Sequence, residues 1–206
     1  MRSISILILI FFPYLHSFSQ EKMFQKWDKA VLEKANTGKD VDKLSEEEKT
    51  VILFCNMARM EPKLFIETVL KYYTDSVGNA SSASVLSLKK DLHALKKEDP
   101  FLVQEDLILL SKEHAVKMDR SGKKGHEGFS ARYKVVMKKY TKGVAENCSY
   151  GQNKALNIAM QLLIDEGVTG SGHRKNILEP NFTSVGVCIY KHKTAKWQCV
   201  MGFGGE

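Results

Sequence analysis

The period of the apolar residues changes once along this chain, and that change limits the fold more than any other feature. Up to about residue 164 the apolar positions recur at helical spacing. Val85, Leu88, Leu92 and Leu95 form one such stripe, and Leu107, Leu110, His114 and Met118 form another. Ala155, Ile158, Ala159, Leu162 and Leu163 make a third, with Asn153 as the expected cap. From residue 184 onward the period falls to two. Ser184-Val185-Gly186-Val187-Cys188-Ile189-Tyr190 and Trp197-Gln198-Cys199-Val200-Met201 read as the two arms of a hairpin. Pairing residue 188 with 199 puts the turn near Lys193-Thr194 and sets Cys188 opposite Cys199, which predicts a disulfide between them. Shorter strands are expected within residues 143–150. Helices first and a hairpin last predict an α+β fold with a small, mainly antiparallel sheet. The 206 residues suffice for one domain with a sizeable core.

The earlier segments add detail. Phe24 to Lys34 reads as a short amphipathic helix. Ser45-Glu46-Glu47-Glu48 is a capping box: the Ser and Glu side chains satisfy free N–H groups, and three acids sit at the positive end of the helix dipole. Pro62 fits the first turn of the next helix. Residues 74–84 read as a loop.

The N-terminus has a different character. Arg2 precedes an apolar run from Ile4 to Phe12, Pro13 ends the run, and Ser17-Phe18-Ser19 offers small residues for cleavage. This predicts a signal peptide over residues 1–19, a helical extension over 20–45 and the folded domain over 46–206. The run is too short to span a bilayer, so no membrane span is expected in the mature form, and the location is secreted or periplasmic. An oxidising compartment permits disulfides among Cys55, Cys148, Cys188 and Cys199. The net charge of +7 is spread along the chain. It suits anionic surfaces but gives no sign of a nucleic-acid partner.

Of the six histidines, His126 and His173 stand apart. Each lies in or beside a glycine-rich loop, Gly125-His126-Glu127-Gly128 and Gly170-Ser171-Gly172-His173, where the backbone turns tightly and leaves the ring accessible. His93 and His192 read as solvated. His114, on an apolar helix face, reads as a half-buried residue with a hydrogen-bond partner. Glu146 is flanked by apolar residues and needs a cation, a metal or N–H donors. Asp165 and Glu166 end a helix, where acids are unfavourable, so another group is expected to hold them. No GxSxG, HExxH, phosphate loop or dinucleotide fingerprint occurs.

Taken in order, these segments resemble the CAP superfamily, also called the SCP domain, which includes cysteine-rich secretory proteins, venom antigens and plant pathogenesis-related proteins. The resemblance runs through Cys55-Asn56-Met57-Ala58-Arg59-Met60-Glu61-Pro62, Ser111 to Met118, Gly125-His126 and Ala145-Glu146-Asn147. It continues in Asp165 to Val168, Gly172 to Leu178 and Ser184 to Val187, and it looks like the bacterial and lower-eukaryotic branch. It implies a three-layer α-β-α sandwich with a cleft lined by two histidines and acids, the histidines binding zinc in some members. Carried over, the metal ligands are His126 and His173 and the cleft acids are Glu146 with Asp165 or Glu166. Ala145 replaces the family's usual glycine. Two functions stay open. One is an extracellular binding module for a lipid, a peptide or another surface ligand. The other is a zinc-dependent, peptidase-like hydrolase using His126, His173 and Glu146.

Overall fold

The computed structural model describes residues 23–206. The expected signal segment 1–19 lies outside the described residues, as do residues 20–22. Helix α1 (Lys29–Ala35) is capped by Asp28, and Trp27 beside it is buried with its indole N–H on Thr68 Oγ1 at 3.0 Å. Helix α2 (Glu46–Met60) opens on the expected capping box. Its Glu48 does more than cap, because Oε1 also accepts the Ile189 amide at 2.6 Å and ties the helix to the sheet.

Pro62 starts α3 (Pro62–Phe65), which passes through a π-helical turn (Ile66–Leu70) into α4 (Lys71–Val77). The expected loop over 74–84 is therefore shorter, beginning only at the left-handed Gly78. Helix α5 (Ala83–Ala94) follows, then β1 (Leu102–Val103) and the long α6 (Glu105–Ser121). The remaining elements are α7 (Phe129–Tyr133), β2 (Gly143–Tyr150), α8 (Ala155–Ile164), a 3-10 turn (Thr169–Ser171), α9 (Gly172–Leu178), β3 (Ser184–His192) and β4 (Lys196–Gly205). Asn153 does not cap α8. The carboxylate of Glu47, from α2, accepts the Ala155 amide at 2.7 Å instead.

Among the described residues the strands form one sheet in the order β1-β3-β4-β2. β1 runs parallel to β3, and the other two pairings are antiparallel. Strand alternation divides the core. Val185, Val187, Cys199, Met201 and Phe203 pack with α2, α5, α8 and α9, whereas Cys148, Cys188 and Val200 pack with Ala115 and Met118 of α6. The result is the expected α-β-α sandwich, with helices on both faces of a mixed sheet.

Glycine decides how closely α6 lies on its face. A Cβ on Gly186 would fall 2.2 Å from the backbone of Leu107 and Ile108, so the helix touches the strand with nothing between. The Tyr140 ring fills the equivalent space over Gly204, 2.4 Å from where a Cβ would stand.

The hairpin register corrects the disulfide. Cys188 pairs with Val200 and Ile189 with Cys199, one residue away from the expected pairing. A one-residue shift turns side chains to the opposite face, so Cys188 faces α6 and Cys199 faces α2 and α8. All four cysteines are buried and free. Burial pushes the Cys55 and Cys188 thiols up to about 12, which keeps them protonated and unreactive in the native state.

Two outcomes follow from this packing. Gly186→Ala is expected to lose about 3 kcal/mol, because the added methyl meets backbone that cannot rotate away; urea unfolding of the two proteins measures it. Peptide mapping without reduction should recover Cys188 and Cys199 as free thiols.

Candidate functional site

The two loop histidines line one cleft. Its volume is about 550 Å³, and its walls include Tyr73, Ser149, Asn157, Gln161, Asp165 and Glu166 together with His126 and His173. They reach it from opposite faces of β2, the edge strand of the sheet.

His126 belongs to the loop between α6 and α7, which is held at three points. The buried His114 donates from Nε2 to the Gly125 carbonyl at 2.8 Å, and the Gly125 amide donates to the Tyr150 hydroxyl at 2.7 Å. The third point is His192, which donates from Nε2 to the Lys123 carbonyl at 3.0 Å while its Nδ1 accepts the Ala195 amide at 3.1 Å. His192 is thus not solvated. It is buried and joins the hairpin tip to the loop. Nor is His114 half-buried: it is completely enclosed, and its Nδ1 has no hydrogen-bond partner among the described residues.

Glu146 is buried behind His126. Its Oε1 lies 3.0 Å from His126 Nδ1, and both its oxygens accept from the Arg132 guanidinium, at 2.6 and 3.0 Å. Burial by itself would raise the carboxyl, but the His126 and Arg132 hydrogen bonds and the Arg132 charge outweigh it. They hold Glu146 below the ordinary carboxylate range. Cys148 follows two residues later on the same strand face, with Sγ 3.7 Å from His126 Nδ1. Burial, reinforced by the Glu146 charge, drives its thiol far above the usual range and excludes it as a nucleophile at neutral pH. His114, Glu146 and Cys148 bring one donor atom each within 4.8 Å of one another, all of them buried.

On the other side, His173 lies in the first turn of α9, and Asp165 closes α8 in a left-handed conformation with φ 56°. That turn aims the Asp165 carboxylate at the start of α9. Oδ1 lies 2.7 Å from His173 Nδ1, while Oδ2 accepts the amides of His173 and Arg174 at 2.9 and 3.2 Å. The acid that is unfavourable at the end of α8 is therefore favourable at the beginning of α9. Glu166 lines the same cleft but is exposed, and it has no hydrogen bond to either histidine among the described residues. Of the two acids the sequence left open, Asp165 is the one paired with His173.

The strand residue after Glu146 ties the two sides together. Asn147 donates to the His173 carbonyl at 2.9 Å and accepts from Asn176 Nδ2 at 2.8 Å. Each histidine thus has Nδ1 on a buried carboxylate. The neutral tautomer that donates from Nδ1 leaves Nε2 as the free lone pair, which is how a metal-ligating histidine is usually prepared.

Residues 86–201 match the cysteine-rich secretory protein family, more than half of the chain. The chain belongs to the CAP family. No curated protein matches this CAP chain. Among solved structures it is similar to a cysteine-rich secretory protein from Staphylococcus aureus, at 15% identity over 59% of this chain and 38% of that one, with TM-score 0.42. It is also similar to an extracellular protein containing an SCP domain from Bacillus anthracis, at 18% identity over 57% of this chain and 36% of that one, with TM-score 0.43. A third is an outer surface protein from Borrelia burgdorferi, at 19% identity over 58% and 85% of the two chains, with TM-score 0.42. The CAP chain thus spans less than two fifths of the first two proteins.

Sequence reasoning missed Arg132, which neutralises Glu146, and the part His114 and His192 play in holding the His126 loop. Arg132 stands 14 residues before Glu146 with no motif linking them, so only the fold pairs them.

The enclosed His114 makes the CAP domain sensitive to acid. Burial lowers its pKa below the ordinary 6.5, against the opposing pull of the Gly125 carbonyl and the Glu146 charge. The unfolded chain therefore takes up this proton first, and stability contributed by the neutral ring is lost as pH falls below about 6.5. Glu146 acts in the same direction but in a lower window, below about 4.5, because its folded pKa is depressed. His114→Gln is expected to flatten the slope of stability against pH between about 6.5 and 5 and to leave the steeper loss below it. Urea unfolding across that range is the measurement.

Proposed function

We propose that this CAP protein is an extracytoplasmic binding module whose cleft carries a divalent metal, zinc by its donor chemistry, on His126 and His173. Export rests on the signal pattern of residues 1–19, with 20–45 as an extension and 46–206 as the domain. No helix among the described residues is long and apolar enough to cross a membrane.

One observation carries the metal reading: the paired carboxylate–imidazole contacts. Asp165 and Glu146 each occupy an Nδ1, so two neutral imidazoles offer Nε2, a donor set that suits zinc. Asp165 fixes the ring of His173, and Glu146 with Arg132 fixes that of His126. When bound, the metal would supply a Lewis acid able to polarise an oxygen of a ligand.

The lining of the cleft combines apolar side chains, Met160, Leu162, Ile164 and Val168, with polar ones. Asn79, Gln152, Asn157 and Gln161 offer amides, and no lysine or arginine lines the cleft among the described residues. Two buried oxygens in these walls, Ser149 Oγ and Asn79 Oδ1, have no hydrogen-bond partner among the described residues. The amides suit the carbonyls and hydroxyls of a peptide or surface glycan, and the apolar side chains suit an aliphatic group.

A hydrolase that used Glu146 as its base is disfavoured. A carboxylate clamped on both oxygens by a guanidinium and held below its ordinary pKa is a poor proton acceptor. Its geometry suits a fixed anion that orients His126.

Calorimetric zinc titration with native mass spectrometry tests the proposal. The wild-type protein should bind one zinc, and His126→Ala and His173→Ala should each abolish that stoichiometric binding with the fold retained. Asp165→Asn should weaken binding by roughly 10–100-fold, as loss of a ligand's orienting partner does. Affinity should fall as the solution is acidified, because protons compete with the metal for its ligands. Unchanged zinc binding in His173→Ala would exclude the shared site.

A further inference from the structure

Away from the cleft, one surface segment breaks the usual pattern of a solvated loop. After α7 the chain runs as consecutive turns from Lys134 to Lys139, with Val136 N–H on the Tyr133 carbonyl and Tyr140 N–H on the Val136 carbonyl. Tyr133, Val136 and Tyr140 are buried and pack with Leu107 and Leu110 of α6. These anchors recur at i, i+3 and i+7, so the residues between them are turned outward. Two of those are large and apolar. Val135 is 78% exposed and Met137 is 56% exposed. Nothing in the described fold covers either one.

The charges of the segment itself have one sign. Between Glu127 and Glu146 the chain contains no acidic residue, yet it contains Arg132, Lys134, Lys138, Lys139 and Lys142. Arg132 is committed to Glu146, and Lys139 reaches Asp106 at 3.0 Å, Gln104 at 2.8 Å and the carboxylate of Glu206 at 3.9 Å. Lys134, Lys138 and Lys142 are exposed and make no ion pair among the described residues. Three unengaged ammonium groups thus flank two exposed apolar side chains on a rigidly anchored turn.

We infer that residues 134–142 dock on an anionic phospholipid surface, with Val135 and Met137 entering the headgroup–acyl boundary and Lys134, Lys138 and Lys142 meeting lipid phosphates. A polyanion such as a nucleic acid or a sulfated glycan would satisfy the lysines alone. The apolar pair selects a bilayer, because only there does its removal from water add to the charge attraction. The surface is separate from the cleft, so docking does not depend on the metal reading.

Sedimentation with vesicles tests this. The probes are vesicles of phosphatidylcholine alone and of phosphatidylcholine mixed with phosphatidylglycerol. Every variant keeps the same N-terminus, so the apolar residues 4–12 contribute equally. The wild-type protein should bind the mixed vesicles more tightly than the neutral ones, and raising the salt should reduce that difference. Lys134→Glu/Lys138→Glu should remove the preference for anionic vesicles. Val135→Ser/Met137→Ser should weaken binding to mixed vesicles by about tenfold or more, with the near-ultraviolet circular dichroism unchanged because both positions are exposed. If the Val135→Ser/Met137→Ser protein binds mixed vesicles as the wild type does, the contact is charge attraction alone and the inference fails. Equal wild-type binding to both vesicles overturns it as well. His126→Ala should retain the preference, which separates this surface from the metal site.

Discussion

Strand β2 presents Glu146 and Asn147 to opposite faces of the sheet, and the site depends on that alternation. Neighbouring residues of a strand cannot share a face. Glu146 therefore reaches the α6 side and fixes the ring of His126, while Asn147 reaches the α9 side and holds the backbone of His173. Because β2 is an edge strand, these two arms close around the sheet margin instead of being separated by a neighbouring strand. A shift of β2 by one residue would exchange the two side chains, taking Glu146 from His126 and Asn147 from the His173 carbonyl.

Such an arrangement needs rigid surroundings, and buried polar groups provide them. Arg59 donates to the carbonyls of Asp99, Ile177, Glu179 and Phe182, joining α2 to the segment after α9. Burial lowers its pKa to about 10, so the guanidinium stays charged at neutral pH. Arg174 does the same for the end of α8, donating to the Leu163 and Ile164 carbonyls and pairing with Asp91 of α5. Each satisfies carbonyls that a helix end would otherwise leave bare. His173 and Arg174 are adjacent, so the residue that faces the cleft is held by one that faces the core.

Glu146 shows how a buried charge can be structural and electrostatic at once. Removing one partner from such a pair leaves an uncompensated buried charge, at a cost of about 3–5 kcal/mol. Arg132 is therefore part of the fold as well as the reason Glu146 remains an anion. The negative oxygen beside His126 favours the tautomer that exposes Nε2. A single carboxylate so links the stability of the His126 loop to its chemistry.

Much of this was legible in the sequence. Helical spacing located α5, α6 and α8, the Ser45–Glu48 capping box located the start of α2, and the change of period located the β3–β4 hairpin. Glycine-rich flanks singled out His126 and His173, because a turn that only glycine adopts leaves a side chain free. The disulfide, the Asn153 cap, the solvated His192 and the half-buried His114 were misread. Each depends on a register or a contact between residues distant in the chain, which local pattern does not encode. Glu47 caps a helix that begins 108 residues later, and the Arg132–Glu146 pair arises from the way the turn after α6 folds back on β2. The sequence alone determined the longer helices, the terminal hairpin and the two glycine-flanked histidines, since these follow from apolar period and backbone preference, but not the short elements β1, α7 and α9. The tertiary structure decided which carboxylate meets which imidazole, because that depends on the faces of β2 and the approach of α6 over Gly186.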